Sequence, residues 1–371
     1  MRSWNSITLG EVLPFKYGKN LPASKRTHSG EYDVVSSAGI IDSHDTAFTT
    51  EPCIVIGRKG SIGSLTYCPD PVWPTDTTFY VTGTPYCDLR FGYYVLQTLP
   101  LNQMNNDSAV PGLNRNDAES LAFSLPPVSE QKTIAKVLGS LDDKIAANQR
   151  TIQSADSLRN ALWDKLLKTN TESLPLSSLA EFINGRAFTK NATGTGRVVA
   201  RIAELNSGIG SNTVFNDIEV HQNHVVLPGE LLFAWSGTLM TKRWPYDEAI
   251  VNQHIFKVLP ISKFDLWALE LIIQSQIHYF QMIAAGKATT MGHIKRADLD
   301  KTVEVPTSIP DKLNMLGNTL WMLATQAEQE NQTLARTRDE LLPLLMSGKI
   351  TVRDAEEASA EVGVDKHEVE E

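Results

Sequence analysis

Two long stretches of the sequence carry apolar residues at heptad spacing, and the stretches match each other without a gap. The first runs from about residue 129 to 168 and the second from about residue 308 to 347. The step in numbering from Ile134 to Leu313 equals the step from Leu166 to Leu345, and every seam position between these ends keeps the same step. Heptads sustained over this length predict a coiled coil rather than two unrelated core helices. The seam positions are Ile134, Leu138, Leu141, Ile145, Asn148, Ile152, Ala155, Arg159, Leu162 and Leu166 in the first stretch, and Leu313, Gly317, Leu320, Ala324, Ala327, Asn331, Leu334, Arg338, Leu341 and Leu345 in the second.

The ends of the two stretches also correspond. Ser129 and Ser308 are predicted as N-caps, because a serine hydroxyl accepts hydrogen bonds from the unpaired amides of a first helical turn. Polar Asn148 and Asn331 interrupt the two seams at places where a buried amide can fix the register of a coiled coil.

The blocks that precede the long stretches correspond more loosely. Gly18 matches Gly185, and Gly60 matches Gly237 at a larger offset along the chain. A growing offset indicates insertions in the loops of the second copy, where divergence costs least. The order is therefore globular block, long helix, globular block, long helix, which is a tandem duplication rather than a solenoid.

Each block is predicted to be α+β, with short strands separated by turns. Residues 53–56, 79–81 and 254–259 have the composition of strands, and residues 91–99 and 266–284 have helical apolar spacing.

The net charge of −9 argues against a nucleic-acid partner only at first sight. Residues 353–371 hold eight acids against Arg353 and Lys366, so this tail carries −6 of the total and the rest of the chain carries −3. The tail is expected to be disordered. Local basic loops therefore decide the question of DNA binding.

The sequence has no run of about 18 apolar residues and begins without the apolar region of a signal peptide. Its three cysteines form no CxxC pair, which fits reduced thiols in a cytoplasmic protein without a membrane anchor.

The loop at residues 57–63 (GRKGSIG) follows a predicted strand and is the most suggestive local motif. It lacks the spacing of a nucleotide P-loop, but three glycines around Arg58 and Lys59, with Ser61, suit a backbone that approaches a DNA phosphate with its amides and cations. A structural glycine turn is the alternative. Asn114 and Arg115 have the chemistry that reads adenine and guanine edges, although a surface turn would look the same.

In the second block, basic residues lie among aromatic residues and glycines. The candidates for DNA contact are Arg186, Lys190, Arg201, Lys242, Lys287 and Lys295. Residues 252–254 (NQH) offer amides, and a buried satisfied network is an equally good interpretation of them. The sequence contains no methyltransferase NPPY/F motif and no GxGxxG or GxSxG, so catalysis by this chain is poorly supported.

Together these features resemble the specificity (S) subunits of type I restriction-modification systems. The similarity covers about residues 9–348. The segments that carry it are 56–63 (IGRKGSIG), 74–80 (PTDTTFY), 110–115 (VPGLNR) and 125–131 (LPPVSEQ) in the first copy, and 231–237 (LLFAWSG), 252–258 (NQHIFKV) and 291–296 (MGHIKR) in the second.

The resemblance implies two tandem α/β target-recognition domains, each followed by a long helix, with the helices paired as an antiparallel coiled coil of pseudo-twofold symmetry. The implied divisions are residues 1–128 (first recognition domain), 129–169 (first spacer helix), 170–307 (second recognition domain), 308–348 (second spacer helix) and 349–371 (acidic tail).

The resemblance also implies a non-catalytic DNA reader, in which each domain binds one half of a split site on double-stranded DNA. The helices would set the spacing and dock two methyltransferase (M) subunits, which restriction (R) subunits would join. S-adenosylmethionine, ATP and magnesium would belong to those partners, and this chain would hold no cofactor. The competing hypothesis is a structural coiled-coil adaptor with two protein-binding domains.

Overall fold

The computed structural model describes residues 4–104, 112–285 and 292–364. It divides into two compact units: residues 1–144 with 334–371 form unit 1, and residues 145–333 form unit 2. Each unit therefore holds one globular block and a part of both long helices. Within the described residues, no helix is long and apolar enough to cross a membrane.

Unit 1 is built on three small sheets, with strand orders β2-β8-β5-β6, β4-β3-β7 and β1-β9. Its strands are β1 (Asn5–Thr8), β2 (Lys16–Tyr17), β3 (Tyr32–Ser36), β4 (Gly39–His44), β5 (Cys53–Gly57), β6 (Leu65–Cys68), β7 (Trp73–Pro74), β8 (Thr78–Thr82) and β9 (Ala122–Leu125). Its helices are α1 (Leu9–Val12), α2 (Leu89–Thr98) and α3 (Arg115–Glu119), followed by α4 (Val128–Leu167), which continues into unit 2. The central strand β5 is buried throughout, as its continuous apolar run predicts.

Unit 2 repeats this plan, with strand orders β11-β18-β15-β16, β13-β12-β17-β14 and β10-β19. Its strands are β10 (Thr171–Pro175), β11 (Ala180–Asn184), β12 (Arg197–Ala200), β13 (Phe215–Asn216), β14 (Val225–Val226), β15 (Leu231–Ala234), β16 (Met240–Arg243), β17 (Ala249–Val251), β18 (Ile255–Pro260) and β19 (Thr302–Pro306). Its helices are α5 (Ile202–Ser207) and α6 (Leu266–Ala285), followed by α7 (Asp311–Met346), which continues into unit 1, where α8 (Val352–Glu361) follows. The matching strand orders confirm the duplication.

The long helices pair as an antiparallel coiled coil, as predicted. In unit 2, Asn148 donates a hydrogen bond to Glu330 at 2.6 Å, and the Arg159 guanidinium lies 5.0 Å from the ring centre of Trp321. Later residues of α4 therefore meet earlier residues of α7. In unit 1, Arg338 of α7 donates to Asp142 of α4 at 2.7 Å. The seam in unit 2 is a buried cluster of Ile152, Ala155, Leu320, Ala324 and Ala327.

Prolines rather than serines begin both long helices, so the predicted N-caps were wrong. The Gln131 amide donates to the Pro127 carbonyl at 3.0 Å, and the Asn314 amide donates to the Pro310 carbonyl at 3.0 Å. Proline is tolerated at this place because the first helical turn needs no amide donor from it. Ser129 consequently lies inside α4, and Ser308 lies before α7.

The expectation of a disordered tail was wrong for residues 352–361, which form α8. A capping box begins this helix: the Thr351 amide donates to Asp354 at 2.7 Å, and the Asp354 amide donates to the Thr351 hydroxyl at 3.2 Å. Ala355 and Ser359 are buried, so small residues on one face give the acidic helix a packed side. Residues 365–371 of the tail lie outside the described residues.

Candidate nucleic-acid interface

The loop after β5 closes on itself as a glycine turn. The Lys59 amide donates to the Thr77 carbonyl at 3.1 Å, and the Gly63 amide donates to the Gly57 carbonyl at 2.8 Å. Gly60 and Gly63 have φ values of 76° and 71°, in the left-handed region that favours glycine. These amides are used inside the protein, so the expected backbone cradle for a phosphate is not formed by them. The side chains of Lys59 and Ser61 are exposed beside this turn.

Arg58 is held firmly at the start of the same loop. Its Nη2 donates to the Asp76 carbonyl at 2.7 Å, and its guanidinium carbon lies 5.4 Å from the Tyr17 ring centre and 5.7 Å from that of Phe79. The Arg58 Nε atom is buried without a hydrogen-bond partner among the described residues. Two aromatic faces and one carbonyl therefore fix the guanidinium in place.

Asn114 and Arg115 lie beside Arg58, because the Leu113 amide donates to the Arg58 carbonyl at 2.9 Å. A cleft of about 380 Å³ joins them, lined by Tyr17, Arg58, Phe79, Leu113, Asn114, Arg115 and Asn116. Part of their chemistry is already used: Asn114 Oδ1 accepts from the Asn116 amide at 2.9 Å and caps α3, and Arg115 Nε donates to Glu119 at 3.0 Å. The structure thus brings together Arg58, Asn114 and Arg115, which are separate in the sequence.

Trp235 takes the place of Arg58 in unit 2. The Trp235 amide donates to the His254 carbonyl at 3.1 Å, and the Ile294 amide donates to the Trp235 carbonyl at 3.1 Å. In unit 1 the corresponding bonds run from the Arg58 amide to the Thr77 carbonyl, at 2.9 Å, and from the Leu113 amide to the Arg58 carbonyl. The backbone is therefore held in the same way around the two residues. We call each set of backbone hydrogen bonds, with the side chains around it, a frame: the Arg58 frame in unit 1 and the Trp235 frame in unit 2.

The side chains in the unit 2 frame are aromatic and neutral polar. Trp235 Nε1 donates to Asn184 Oδ1 at 2.8 Å, and its ring centre lies 5.8 Å from that of Phe256 and 5.5 Å from that of His254. Residues 252–254 hold three buried polar atoms that have no hydrogen-bond partner among the described residues: Asn252 Oδ1, Gln253 Oε1 and His254 Nδ1. The segment does not form a satisfied network within that part of the chain.

A glycine before each frame permits a close backbone approach. A Cβ atom on Gly18 would lie 2.1 Å from the Thr75 carbonyl oxygen, and one on Gly185 would lie 2.2 Å from the Asn252 carbonyl oxygen. No side chain fits at either distance, so the two matched glycines of the repeat explain how the first strand of each main sheet closes against the frame.

The cations predicted for unit 2 divide into several groups. Arg186 is exposed just after Gly185 and bridges to Asn252, and Lys295 is exposed just after Ile294, so these two adjoin the Trp235 frame. Lys190 is exposed further along the chain from Arg186. The positive charge of Arg186 is felt by His224, whose pKa is lowered first by burial and then by that charge. Lys242 lies on the edge strand β16, opposite Leu232 and away from the frame. Lys287 lies outside the described residues.

Arg201 is partly exposed, and its guanidinium is paired within unit 2. Its guanidinium donates to Glu204 at 2.6 and 3.0 Å and to the Asn212 carbonyl at 2.7 Å. The Glu204 side chain is only 2% exposed and needs this positive partner, because a buried unpaired carboxylate is costly. The structure therefore engages the Arg201 guanidinium in contacts within unit 2.

Residues of the frames that the sequence interpretation missed are Tyr17, Asn184 and Trp235. A search for cations passes over all of them. The repeat carried the signal, since the offset that joins Gly60 to Gly237 also joins Arg58 to Trp235.

Comparisons with known proteins agree with this architecture. Residues 1–156 match the family model of the type I restriction modification DNA specificity domain. The specificity subunit of the type I restriction enzyme EcoprrI from Escherichia coli is 26% identical over 145 residues, which are 36% of this chain and 35% of that protein. The alignment thus spans about a third of the length of that relative.

The fold comparison extends over most of the chain. The crystal structure of a type I restriction-modification S subunit from M. genitalium superimposes with a TM-score of 0.62 at 15% identity, covering 92% of this chain and 96% of that one. The predicted resemblance is therefore confirmed: the chain resembles the specificity subunits of type I restriction-modification systems, in family over residues 1–156 and in fold over nearly its whole length.

Proposed function

We propose that this chain is the DNA specificity subunit of a type I restriction-modification complex, in which each unit reads one half of a bipartite DNA site. The observation that carries the proposal is the duplicated frame, with the same backbone hydrogen bonds around Arg58 and around Trp235 but different side chains. A duplicated protein can present two such readers to a duplex whose backbone has local twofold symmetry. Different side chains in equal frames then give an asymmetric target.

Phosphate contacts would come from the exposed cations next to each frame. Lys59 and Ser61 flank the Arg58 frame, Arg186 and Lys295 flank the Trp235 frame, and Lys190 lies further along the chain from Arg186. Partners with their own DNA affinity would supply further phosphate contacts, so this chain, with a net charge of −9, would not have to make all of them.

The long helices would set the distance between the half-sites. α4 has 40 residues and α7 has 36. At ~1.5 Å per residue they are roughly 60 and 54 Å long, which exceeds one DNA turn of about 34 Å.

The helices would also dock the methyltransferase subunits. In the unit 2 part of α7, four large apolar side chains are exposed at heptad intervals: Met315 (71%) with Met322 (59%), and Leu316 (46%) with Leu323 (43%). This spacing suits a partner helix that packs against α7. The reactions of methylation and cleavage, with their cofactors, would then belong to M and R subunits, and this chain would be non-catalytic.

A reciprocal domain exchange tests the proposal. Residues 1–127, which end just before α4, are replaced by the corresponding block of another specificity subunit, and in a matched variant residues 170–307 are replaced. Each exchange is expected to change one half-site of the methylated sequence and leave the other intact. A change in both half-sites from one exchange contradicts the two-reader proposal, and an absence of any sequence-specific methylation by the unexchanged complex favours the adaptor.

A further inference from the structure

The residues that follow the central strands β5 and β15 occupy equivalent backbone positions in the two units. Their side chains are chemically different. Arg58 follows β5 and Trp235 follows β15. In each case its own amide and carbonyl are both fixed by hydrogen bonds, to Thr77 and Leu113 in unit 1 and to His254 and Ile294 in unit 2. The backbone therefore presents the two side chains in the same way, and any difference in what they recognise comes from the side chains themselves.

Arg58 offers a preorganised fork of donors. Asp76 holds one edge of the guanidinium through Nη2, and the neighbouring rings of Tyr17 and Phe79, whose centres are 5.0 Å apart, pack beside it on one side. Among the described residues, no acceptor takes the Nη1 group. Arginine donors in a fixed plane match the two acceptors, O6 and N7, that guanine presents in the major groove.

Trp235 offers an apolar edge with no spare donor. Its single donor, Nε1, is taken by Asn184 Oδ1, and its ring packs against Phe256 and His254. With the N–H bonded inside the protein, what the ring can present to a base pair is hydrocarbon. In the major groove the feature that rewards an apolar contact is the C5-methyl group of thymine.

We propose that this position determines one base pair in each half-site: Arg58 selects a G·C pair through guanine O6 and N7, and Trp235 selects an A·T pair through the thymine methyl group. The inference rests on the proposed function, because it assigns base selection in each half-site to one residue. The exposed lysines beside the two frames, Lys59 in unit 1 and Lys295 in unit 2, then contact DNA phosphates. Binding affinity and base selection therefore depend on different residues.

Selection from randomised DNA duplexes by the complex of the full chain with its methyltransferase subunits tests the proposal. Arg58→Ala is expected to reduce selection of one G·C pair in one half-site by about 5- to 150-fold, which is the usual value of a bidentate base contact. Arg58→Lys keeps the charge but not the planar fork, so it is expected to lose the same selection while retaining more of the non-specific affinity.

Trp235 variants test the other half-site. Trp235→Ala is expected to lose about fourfold selection of one A·T pair, the worth of one buried methyl-sized group. Because the ring packs against Phe256 and its removal can disturb folding, Trp235→Phe and Trp235→Arg accompany it. The phenylalanine variant is expected to keep the A·T preference, and the arginine variant to change that position to G·C. Tyr86→Ala and Ile261→Ala, at exposed positions of units 1 and 2, are the matched controls and are expected to leave both half-sites unchanged.

Two outcomes overturn the inference. If Arg58→Lys and Trp235→Arg keep every base preference of the unmodified chain, the position does not read bases; if one variant alters both half-sites, it does not belong to one reader. Failure of the proposed function looks different, because the unmodified complex would then enrich no bipartite sequence at all.

Discussion

Removal of the Glu270 carboxylate is expected to destabilise unit 2 strongly. Glu270 lies on α6 with its side chain 8% exposed, and its Oε2 accepts from Arg159 Nη2 of α4 at 2.9 Å; the Arg159 side chain is 3% exposed. Burial raises the pKa of Glu270, which the charge of Arg159 opposes. Glu270→Ala leaves the guanidinium in the interior with Asp156, which is 36% exposed, as its remaining carboxylate.

Loss of one partner from a buried pair costs about 3–5 kcal/mol, because the other charge stays desolvated. Urea unfolding of the full chain, followed by tryptophan fluorescence, measures this cost. The matched control is Glu172→Ala, because Glu172 pairs with Lys263 at 2.6 Å where the side chains are 37% and 39% exposed. That change is expected to cost less than about 1 kcal/mol. The double variant Glu270→Leu with Arg159→Met is expected to recover most of the lost stability.

The reasoning is refuted if Glu270→Ala costs no more than Glu172→Ala, or if the double variant is as unstable as the single one. The first result would mean that water or a rearranged Asp156 already solvates Arg159. The second would mean that the loss comes from packing against Trp321 and Trp267 rather than from an unpaired charge.

Three further predictions concern the Arg58 frame, the Trp235 frame and the two long helices. Lys59→Ala is expected to reduce the slope of log affinity against log salt by about 0.9, the value of one phosphate contact, and an unchanged slope would remove Lys59 from the interface. Gly185→Ala is expected to destabilise unit 2 by about 1–3 kcal/mol in thermal unfolding, because its Cβ would lie 2.2 Å from the Asn252 carbonyl oxygen, whereas Gly210→Ala, with nothing within 4 Å, is expected to have an effect near zero. Deletion of residues 145–151 together with 324–330 is expected to shorten the helix pair by roughly 10 Å and the gap in the methylated site by about three base pairs, so a complex that keeps both activity and gap would contradict the spacer role.

The long-range plan could be predicted from the sequence because heptad periodicity is a local signal repeated many times. Arg159 and Arg338 interrupt the apolar seam at equivalent positions, and both are satisfied by charges from α6 or the facing helix, to Glu270 and Asp142 respectively. The helix starts were predicted less well, because Ser129 is a good cap by composition and only the backbone shows that Pro127 takes that place.

Only the charged residues of the candidate site could be predicted from the sequence. Arg58 and Lys59 stood out as cations among glycines, but the use of the loop amides inside the turn depends on where the Thr77 carbonyl lies after folding. Arg201 stays a predicted DNA contact, and its pairing with Glu204, three residues further on, was visible in the sequence as a possible helical pair. Trp235 was missed because an aromatic residue at a strand end is usually interpreted as core, and its equivalence to Arg58 rests on the backbone hydrogen bonds that the two residues share.

Sequencing of modified bases in the genome of cells that express this chain with its methyltransferase subunit tests the central claim most directly. The Arg58 and Trp235 frames on a duplicated fold predict a methylated site with two different, short half-sites separated by a fixed number of unspecified base pairs. A contiguous methylated motif, two identical half-sites or no methylation dependent on this chain would contradict the account.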